Sequence, residues 1–286
     1  MLVTVTSNPA VDRVLHVARL SPGEVHRASW VVLQAGGKGL NCARAARTLG
    51  EKVLAVGPLA GITGKHIARL AEEEELPCSW FWLDTGESRN CLLLVHEGMD
   101  ATVINEQGPV VADWEPFLAH ARASCRHAGA VALCGSLPPG VPALALAELA
   151  GSLEGSSVYV DTSGEALRQV LRRPSGLCIK VNRQELEDSG YSPGAVLSAG
   201  AAALLVTRGA HGVDVHSPEG FVHVPARPVQ AVSTVGAGDC LLAGLAVGRL
   251  RGMPWHEAAA LGVTCAAASC LDPIPGRMKP LEHPGP

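Results

Sequence analysis

The run Ser233-Thr234-Val235-Gly236-Ala237-Gly238-Asp239 sets a glycine-rich turn and a carboxylate at the head of an apolar segment. This is a pattern suited to anions. Glycines let successive backbone N–H groups converge on a negative charge. The stretch from Cys240 to Leu250 reads as a helix through Leu241, Leu242, Leu245, Ala246 and Leu250, and the unpaired amides of its first turn would face the same anion. Asp239 is expected to stay ionised near neutrality there and to serve as a base, taking a proton from a hydroxyl as that oxygen attacks a phosphoryl group. A helix cap is the plainer alternative, because aspartate is favoured at such positions and Gly-Ala-Gly turns are ordinary.

A second cluster, Gly36-Gly37-Lys38-Gly39, precedes a helix expected from Leu40 to Leu49 and ending at Gly50, so flexible backbone and a cation again meet a helix start. It is not a Walker A loop, since Lys38 is followed by Gly39, and no dinucleotide-type Gly-x-Gly-x-x-Gly opens a helix here. The nine cysteines contain no Cys-x-x-Cys pair and read as small buried apolar residues, Cys240 included. No His-x-x-x-His spacing occurs, and His26, His211 and His223 read as turn or surface residues.

These residues need a scaffold. Val53–Val56, Ala130–Cys134, Val158–Asp161, Leu177–Val181 and Ala203–Thr207 read as buried strands, with helices between them over Ile67–Leu76, Trp114–Ala123, Ala143–Leu153 and Glu165–Leu171. The alternation predicts an α/β fold: a doubly wound, mainly parallel sheet flanked by helices. Val14–Val17 with Trp30–Gln34, and Cys91–His96 with Thr102–Asn105, read instead as paired strands of a small sheet. That sheet would be a lid excluding water from a reactive phosphate, an interface for a second copy, or both.

At 286 residues and 47% hydrophobic content the chain is long enough for one large core. A net charge of −4 with no Lys/Arg block leaves no footprint for nucleic acid or an acidic membrane, while small anionic substrates stay compatible. The opening Met1–Thr6 carries no charged leader and no stretch is a membrane span, so a cytoplasmic protein is expected. The Pro-rich tail Leu281–Pro286 is expected to lack order.

Taken in order, Asn8-Pro9-Ala10-Val11-Asp12, Gly23-Glu24-Val25-His26-Arg27, Gly36 through Arg44, Gly135-Ser136-Leu137-Pro138-Pro139-Gly140, Lys180-Val181-Asn182-Arg183-Gln184-Glu185 and the Gly-Ala-Gly-Asp turn resemble the ribokinase-like sugar kinases of the PfkB family. The resemblance covers roughly residues 1 to 270. It is strongest to the 1-phosphofructokinase and tagatose-6-phosphate kinase branch, through Asn8-Pro9-Ala10, Gly23 to Arg27, Ser88-Arg89-Asn90 and Ser233-Thr234-Val235.

The resemblance implies one ribokinase-like domain over residues 1–280, with lid strands from about 13–35 and 88–106. It implies transfer of the ATP γ-phosphate to a ketohexose phosphate, fructose 1-phosphate first, with tagatose 6-phosphate or fructose 6-phosphate next. Asp239 would be the base and the amides of Gly236, Ala237 and Gly238 the anion hole. Asp12, Gly37 and Asn41 would hold sugar hydroxyls, with Lys38 near anionic groups, and Arg89 would hold the substrate's phosphate, aided by Ser136 and Arg27. Thr207, Gly209 and Gly212 would meet the nucleotide, although a glycine turn between two strands is the plain alternative. Lys180, Asn182 and Glu185 would also lie on the nucleotide side, the last two organising Mg²⁺ through water, while a simple helix-start pattern is the alternative.

Three departures stand out: Val181 for the usual proline, Cys240 for serine, and a short Asp188–Ala202 segment. A homodimer through the lid is expected. A regulator that binds phosphosugar without catalysis is the different-class alternative, and would be marked by loss of Asp239 or its turn, which this chain keeps.

Overall fold

The computed structural model describes residues 1–96 and 101–281. The chain opens with β1 (Leu2–Thr6), β2 (Ala10–Val17), β3 (Trp30–Gly36), α1 (Lys38–Thr48), β4 (Val53–Leu59), α2 (Gly61–Glu73), β5 (Cys78–Trp82), β6 (Arg89–His96) and β7 (Thr102–Asn105). It continues through α3 (Glu115–Cys125), β8 (Ala130–Cys134), α4 (Ala145–Gly151), β9 (Ser157–Asp161), α5 (Gly164–Arg172), β10 (Leu177–Asn182), α6 (Arg183–Ser189) and α7 (Pro193–Ser198). The last elements are β11 (Ala203–Thr207), β12 (Val213–Ser217), β13 (Gly220–Val224), α8 (Ala237–Leu250) and α9 (Trp255–Cys270).

The apolar runs are strands buried on both faces, which is why they show no polar alternation. They form a nine-stranded sheet in the order β13-β12-β11-β10-β9-β8-β1-β4-β5. It is parallel from β11 to β5 and closed at the other edge by the antiparallel hairpin β12–β13. Successive residues point to opposite faces. Leu2, Ala55, Ala130 and Leu205 therefore pack with Leu40, Ile67, Leu242 and Ala258 from α1, α2, α8 and α9. Val3, Val56, Val131 and Leu204 pack with Phe117, Leu149, Leu167 and Val196 from α3, α4, α5 and α7. The expected doubly wound sandwich is present.

Helices α8 and α9 are apolar nearly all round, as suits interior helices. Their backbones touch: a methyl on Gly244 would lie 2.7 Å from Gly262 Cα, and one on Gly262 would lie 2.6 Å from the Leu241 carbonyl oxygen.

The small sheet has the order β3-β2-β6-β7. Both expected antiparallel pairs occur, with Val14 opposite Val32 and Leu93 opposite Val103. The parallel β2–β6 pair that joins them places Asp12 opposite Cys91. Residues 97–100, between β6 and β7, and 282–286 of the expected disordered tail lie outside the described residues.

Some boundaries differ from expectation. Helix α2 runs from Gly61 to Glu73, so it both starts and ends earlier than the Ile67–Leu76 periodicity suggests. Its head is held from across the fold, since Glu87 accepts the N–H groups of Ile62 and Thr63 and buried Ser88 Oγ accepts that of Ala60 at 2.9 Å. Ser88→Ala leaves that N–H without its partner. Urea unfolding is expected to show a loss of about 1–3 kcal/mol at unchanged m. The short Asp188–Ala202 segment holds α7, and Val181 is a buried strand residue of β10.

Candidate active site

The carboxyl ends of β1, β8 and β10 and the head of α8 meet one face of the small sheet around a cavity of about 850 Å³. Ligands of open α/β sheets gather at that end of the strands. The sheet contributes Asp12, Arg89, Cys91, Leu93, Val103 and Asn105. The main domain contributes Gly37, Lys38, Asn41, Ser136, Lys180, Gly236, Gly238 and Asp239.

Gly236 takes φ 84° and ψ −5° at the cap of α8, a left-handed conformation costly for a residue with a side chain. Gly236 and Gly238 face the cavity. Ala237 differs from expectation: its N–H turns back to the Thr234 carbonyl at 3.2 Å, and it is not among the lining residues. Asp239 does more than cap the helix. It is 7% exposed, and its Oδ2 accepts Asn41 Nδ2 at 2.9 Å. Burial and the nearby Asp161 charge push its carboxyl up to about 6, against the pull of Lys38, Lys180 and Asn41. It is therefore largely ionised at neutrality, as expected, though with a far weaker margin than an exposed aspartate.

Asp161, which sequence reasoning took only as the last residue of a strand, is the hidden member of the site. It is fully buried, and its two oxygens accept Lys38 Nζ at 2.8 Å and Lys180 Nζ at 2.6 Å. Burial opposes its charge, but the two ammonium groups outweigh that and hold it below the usual carboxylate range. Lys38 is held above its usual value by Asp161 and Asp239 despite its own desolvation. Two lysines and two aspartates thus share one charge-balanced patch. A methyl on Gly238 would lie 3.0 Å from Lys180 Nζ, which puts that cation beside the turn. Lys180, expected on the nucleotide side, lines this cavity. It stands on β10 opposite Leu205 of β11, and its side chain turns to Asp161.

Asp12 is buried opposite Cys91, and burial raises it to about 6 against Arg44, Arg89 and Gln34. Arg89 is anchored at the rim: Nε donates to the Asn8 carbonyl at 3.1 Å, and Nη1 to Asn105 Oδ1 and the Glu106 carbonyl, each at 3.2 Å. Ser136 follows β8 into the cavity. Arg27 does not join them. It is exposed in the stretch between β2 and β3 and is not among the lining residues.

A second depression of about 790 Å³ flanks the end of β10 and is lined by Asn182, Thr207, Arg208, His211, His223 and Pro225 among others. Gly209 and Gly212 form the turn from β11 to β12, so the plain alternative also holds there. His223, expected at a turn or the surface, pairs through Nδ1 with Asp214 Oδ1 at 2.7 Å. Asn182 and Glu185 form a capping box: Asn182 Oδ1 accepts the Glu185 N–H, and Glu185 Oε2 accepts the Asn182 N–H, each at 2.8 Å. Cys240 is buried, as expected.

Among the described residues no group of three or more His, Cys, Asp or Glu could hold a metal, and no helix is long and apolar enough to cross a membrane.

The model of the pfkB family carbohydrate kinases matches residues 4–280. The crystal structure of phosphofructokinase-2 from Escherichia coli in complex with fructose-6-phosphate is similar, with a TM-score of 0.82, 25% identity, and coverage of 94% of this chain and 93% of that one. The same enzyme in complex with potassium gives a TM-score of 0.84 at 26% identity over 97% and 94% of the two chains. A protein described as a possible 1-phosphofructokinase from Thermotoga maritima shares the fold, with a TM-score of 0.86 at 24% identity over 97% and 93%. With the family's match running nearly end to end and a carboxylate, a glycine turn and two cavity-facing lysines in one place, the chain belongs to the pfkB family of carbohydrate kinases and is an ATP-dependent sugar kinase.

Proposed function

We propose that the acceptor is a ketohexose phosphate, fructose 1-phosphate first, converted to its bisphosphate by transfer of the ATP γ-phosphoryl group. One observation carries this: a single cavity is lined by Asp239 with its partner Asn41, by Gly236 and Gly238 of the turn, and by Asp12 and Arg89 of the small sheet. A sugar laid across it would have a hydroxyl at the base and an anionic group at the guanidinium. Asp239 takes the hydroxyl proton as the oxygen attacks in line, and the turn amides and Lys180 meet the charge on the transferring group. Asp12, Gly37 and Asn41 hold sugar hydroxyls, while Lys38 keeps Asp161 ionised. Arg89, with Ser136 nearby, takes the existing phosphate, for which a guanidinium's planar fork is suited.

The nucleotide lies over Thr207 and the Gly209–Gly212 turn beside Asn182. Glu185 engages Asn182 through Oε2 alone, leaving Oε1 as a hard oxygen of the kind magnesium favours. Mg²⁺ near Asn182 and Glu185, held mainly through water, would neutralise phosphate charge when bound with ATP. A second copy over the lid is also proposed, supported by Val31, Val103 and Ile104, which are 45%, 38% and 55% exposed on its strands. Light scattering that gives only monomer at working concentration contradicts it.

The test is Mg²⁺-dependent ADP release with fructose 1-phosphate, tagatose 6-phosphate, fructose 6-phosphate, fructose and ribose side by side. A clear preference for fructose 1-phosphate is expected. Preference for a 6-phosphate moves the acceptor to that sugar, and turnover of ribose or fructose alone refutes a phosphosugar. Arg89→Ala is expected to raise the apparent KM for the phosphosugar roughly 10- to 100-fold with little change in kcat, the loss of a charged hydrogen-bonded contact. An unchanged KM removes Arg89 from the phosphate.

A further inference from the structure

Arg44 is charged, yet its side chain is only 11% exposed, and neither the motif chemistry nor the cavity lining gives it a role. Its guanidinium binds four separate parts of the fold. Nε donates to Glu74 Oε2 at the end of α2 at 2.7 Å, and Nη2 to the Ala35 carbonyl on β3 at 2.8 Å. Nη1 donates to Asn41 Oδ1 at 3.0 Å and reaches the Pro275 carbonyl at 3.5 Å. Gln34 Nε2 donates to that same Pro275 carbonyl at 3.0 Å. Pro275 and Gly276 in turn back the glycine turn, for a methyl on Gly236 would lie 3.0 Å from Pro275 Cβ.

The contact with Asn41 matters most. An amide has one acceptor end and one donor end, and nothing in its shape decides which faces a neighbour. Arg44 has no acceptor, so the oxygen of Asn41 must face it and the NH₂ group must face Asp239. We propose that Arg44 is a positioning residue for the phosphoryl-transfer base: it locks the Asn41 amide with its donor end on Asp239, keeping that carboxylate ionised and one oxygen fixed. This rests on Asp239 as the base of the sugar kinase proposed above.

Without Arg44 the amide is free to turn its oxygen to Asp239, an arrangement that favours the protonated acid. The other groups around Asp239 are Asp161 from β9, Lys38 from α1, Lys180 from β10 and the thiols Cys42 and Cys240; both lysines donate to Asp161, and the Asn41 oxygen takes its bond from Arg44. Arg44 also lowers Asp12 directly by its charge, so one buried cation stands behind both Asp12 and Asp239.

The test is a titration of the ligand-free protein labelled with ¹³C at its aspartate carboxyls, with Asp239 assigned through Asp239→Asn. Arg44→Met is expected to move the Asp239 midpoint up by about one unit, a tenfold change, with Arg44→Lys in between because it keeps the charge and loses the fork. The acid limb of kcat should move by the same amount. A folded Arg44→Met whose Asp239 midpoint is unchanged overturns the proposal. Should Arg44→Met not fold, Arg44→Lys decides the matter in an Asn41→Ala background. There the added lysine should leave the midpoint where Asn41→Ala puts it, and an undiminished further shift shows that Arg44 does not act through Asn41. Absence of turnover with every sugar defeats the kinase proposal, but the titration needs no substrate and stands by itself.

Discussion

Asp239→Asn is expected to lower kcat by about 10²- to 10⁴-fold, the range for removal of a general base, while ATP and sugar binding stay nearly unchanged. The substitution keeps the shape and removes the proton acceptor. Only the ionised carboxylate works, so wild-type kcat should rise with pH through about 6, where burial and Asp161 set this group. The stability effect runs the other way. Asp239 and Asp12 are each raised from 3.8 to about 6, so their folded-state protonated forms contribute stability that is full below 3.8 and lost as pH rises through 6. At pH 8 both are charged and buried at a cost. Asp239→Asn removes one such cost and should make the protein more stable at pH 8, on the order of 1–3 kcal/mol, but not at pH 4. A variant that is inactive and less stable at pH 8 would mean misfolding; retained turnover would remove Asp239 from the chemistry.

Asp161→Asn is expected to be the most destabilising single change near the cavity. It takes away the carboxylate that ion-pairs with both Lys38 and Lys180, whose side chains are 38% and 8% exposed, and leaves the more buried ammonium without its hydrogen-bonded counter-charge. Removing one partner of a buried pair costs about 3–5 kcal/mol. Because Asp161 is held below 3.8 in the fold, its contribution is full above that value and is lost as pH falls through the lower one. Acidification from pH 8 therefore has two limbs of opposite sign: a gain as Asp12 and Asp239 take protons near 6, then a loss as Asp161 does so below 4. Urea melts across pH should show both limbs in the wild type and only the first in Asp161→Asn. A variant within about 1 kcal/mol of wild type at pH 7 would mean that the lysines find other partners.

What could be read in the sequence was local. The turn at Gly236–Asp239, the strands Ala130–Cys134 and Ala203–Thr207, and the antiparallel pairs β2–β3 and β6–β7 declare themselves through their own residues, because glycine conformation, burial on both faces and strand pairing of sequence neighbours all act locally. What could not be read depends on distance. Asp161 is one acid at the end of an apolar run, and it becomes part of the site only when Lys38, 123 residues away in sequence, closes on it. Arg44 looks like an ordinary helix cation until Pro275 and Glu74 arrive. The head of α2 is set by Glu87 and Ser88 from another strand region, so periodicity placed it late. Arg27 was singled out by a matching motif, and in this chain it stands exposed between β2 and β3, outside the cavity lining.

The seam between α8 and α9 has a bearing on how this protein tolerates change. The base stands on the first turn of a helix whose middle lies backbone to backbone against its neighbour. Elsewhere in a core, a flexible side chain absorbs a small misfit; here no such cushion exists. One extra carbon at Gly262 would have to be accommodated by moving a whole rod, and the rod's tip carries Asp239, the proposed base. Residues that do not line the cavity thus help to set where the proposed base stands. A search for rate-governing positions confined to the walls of the cavity would overlook them.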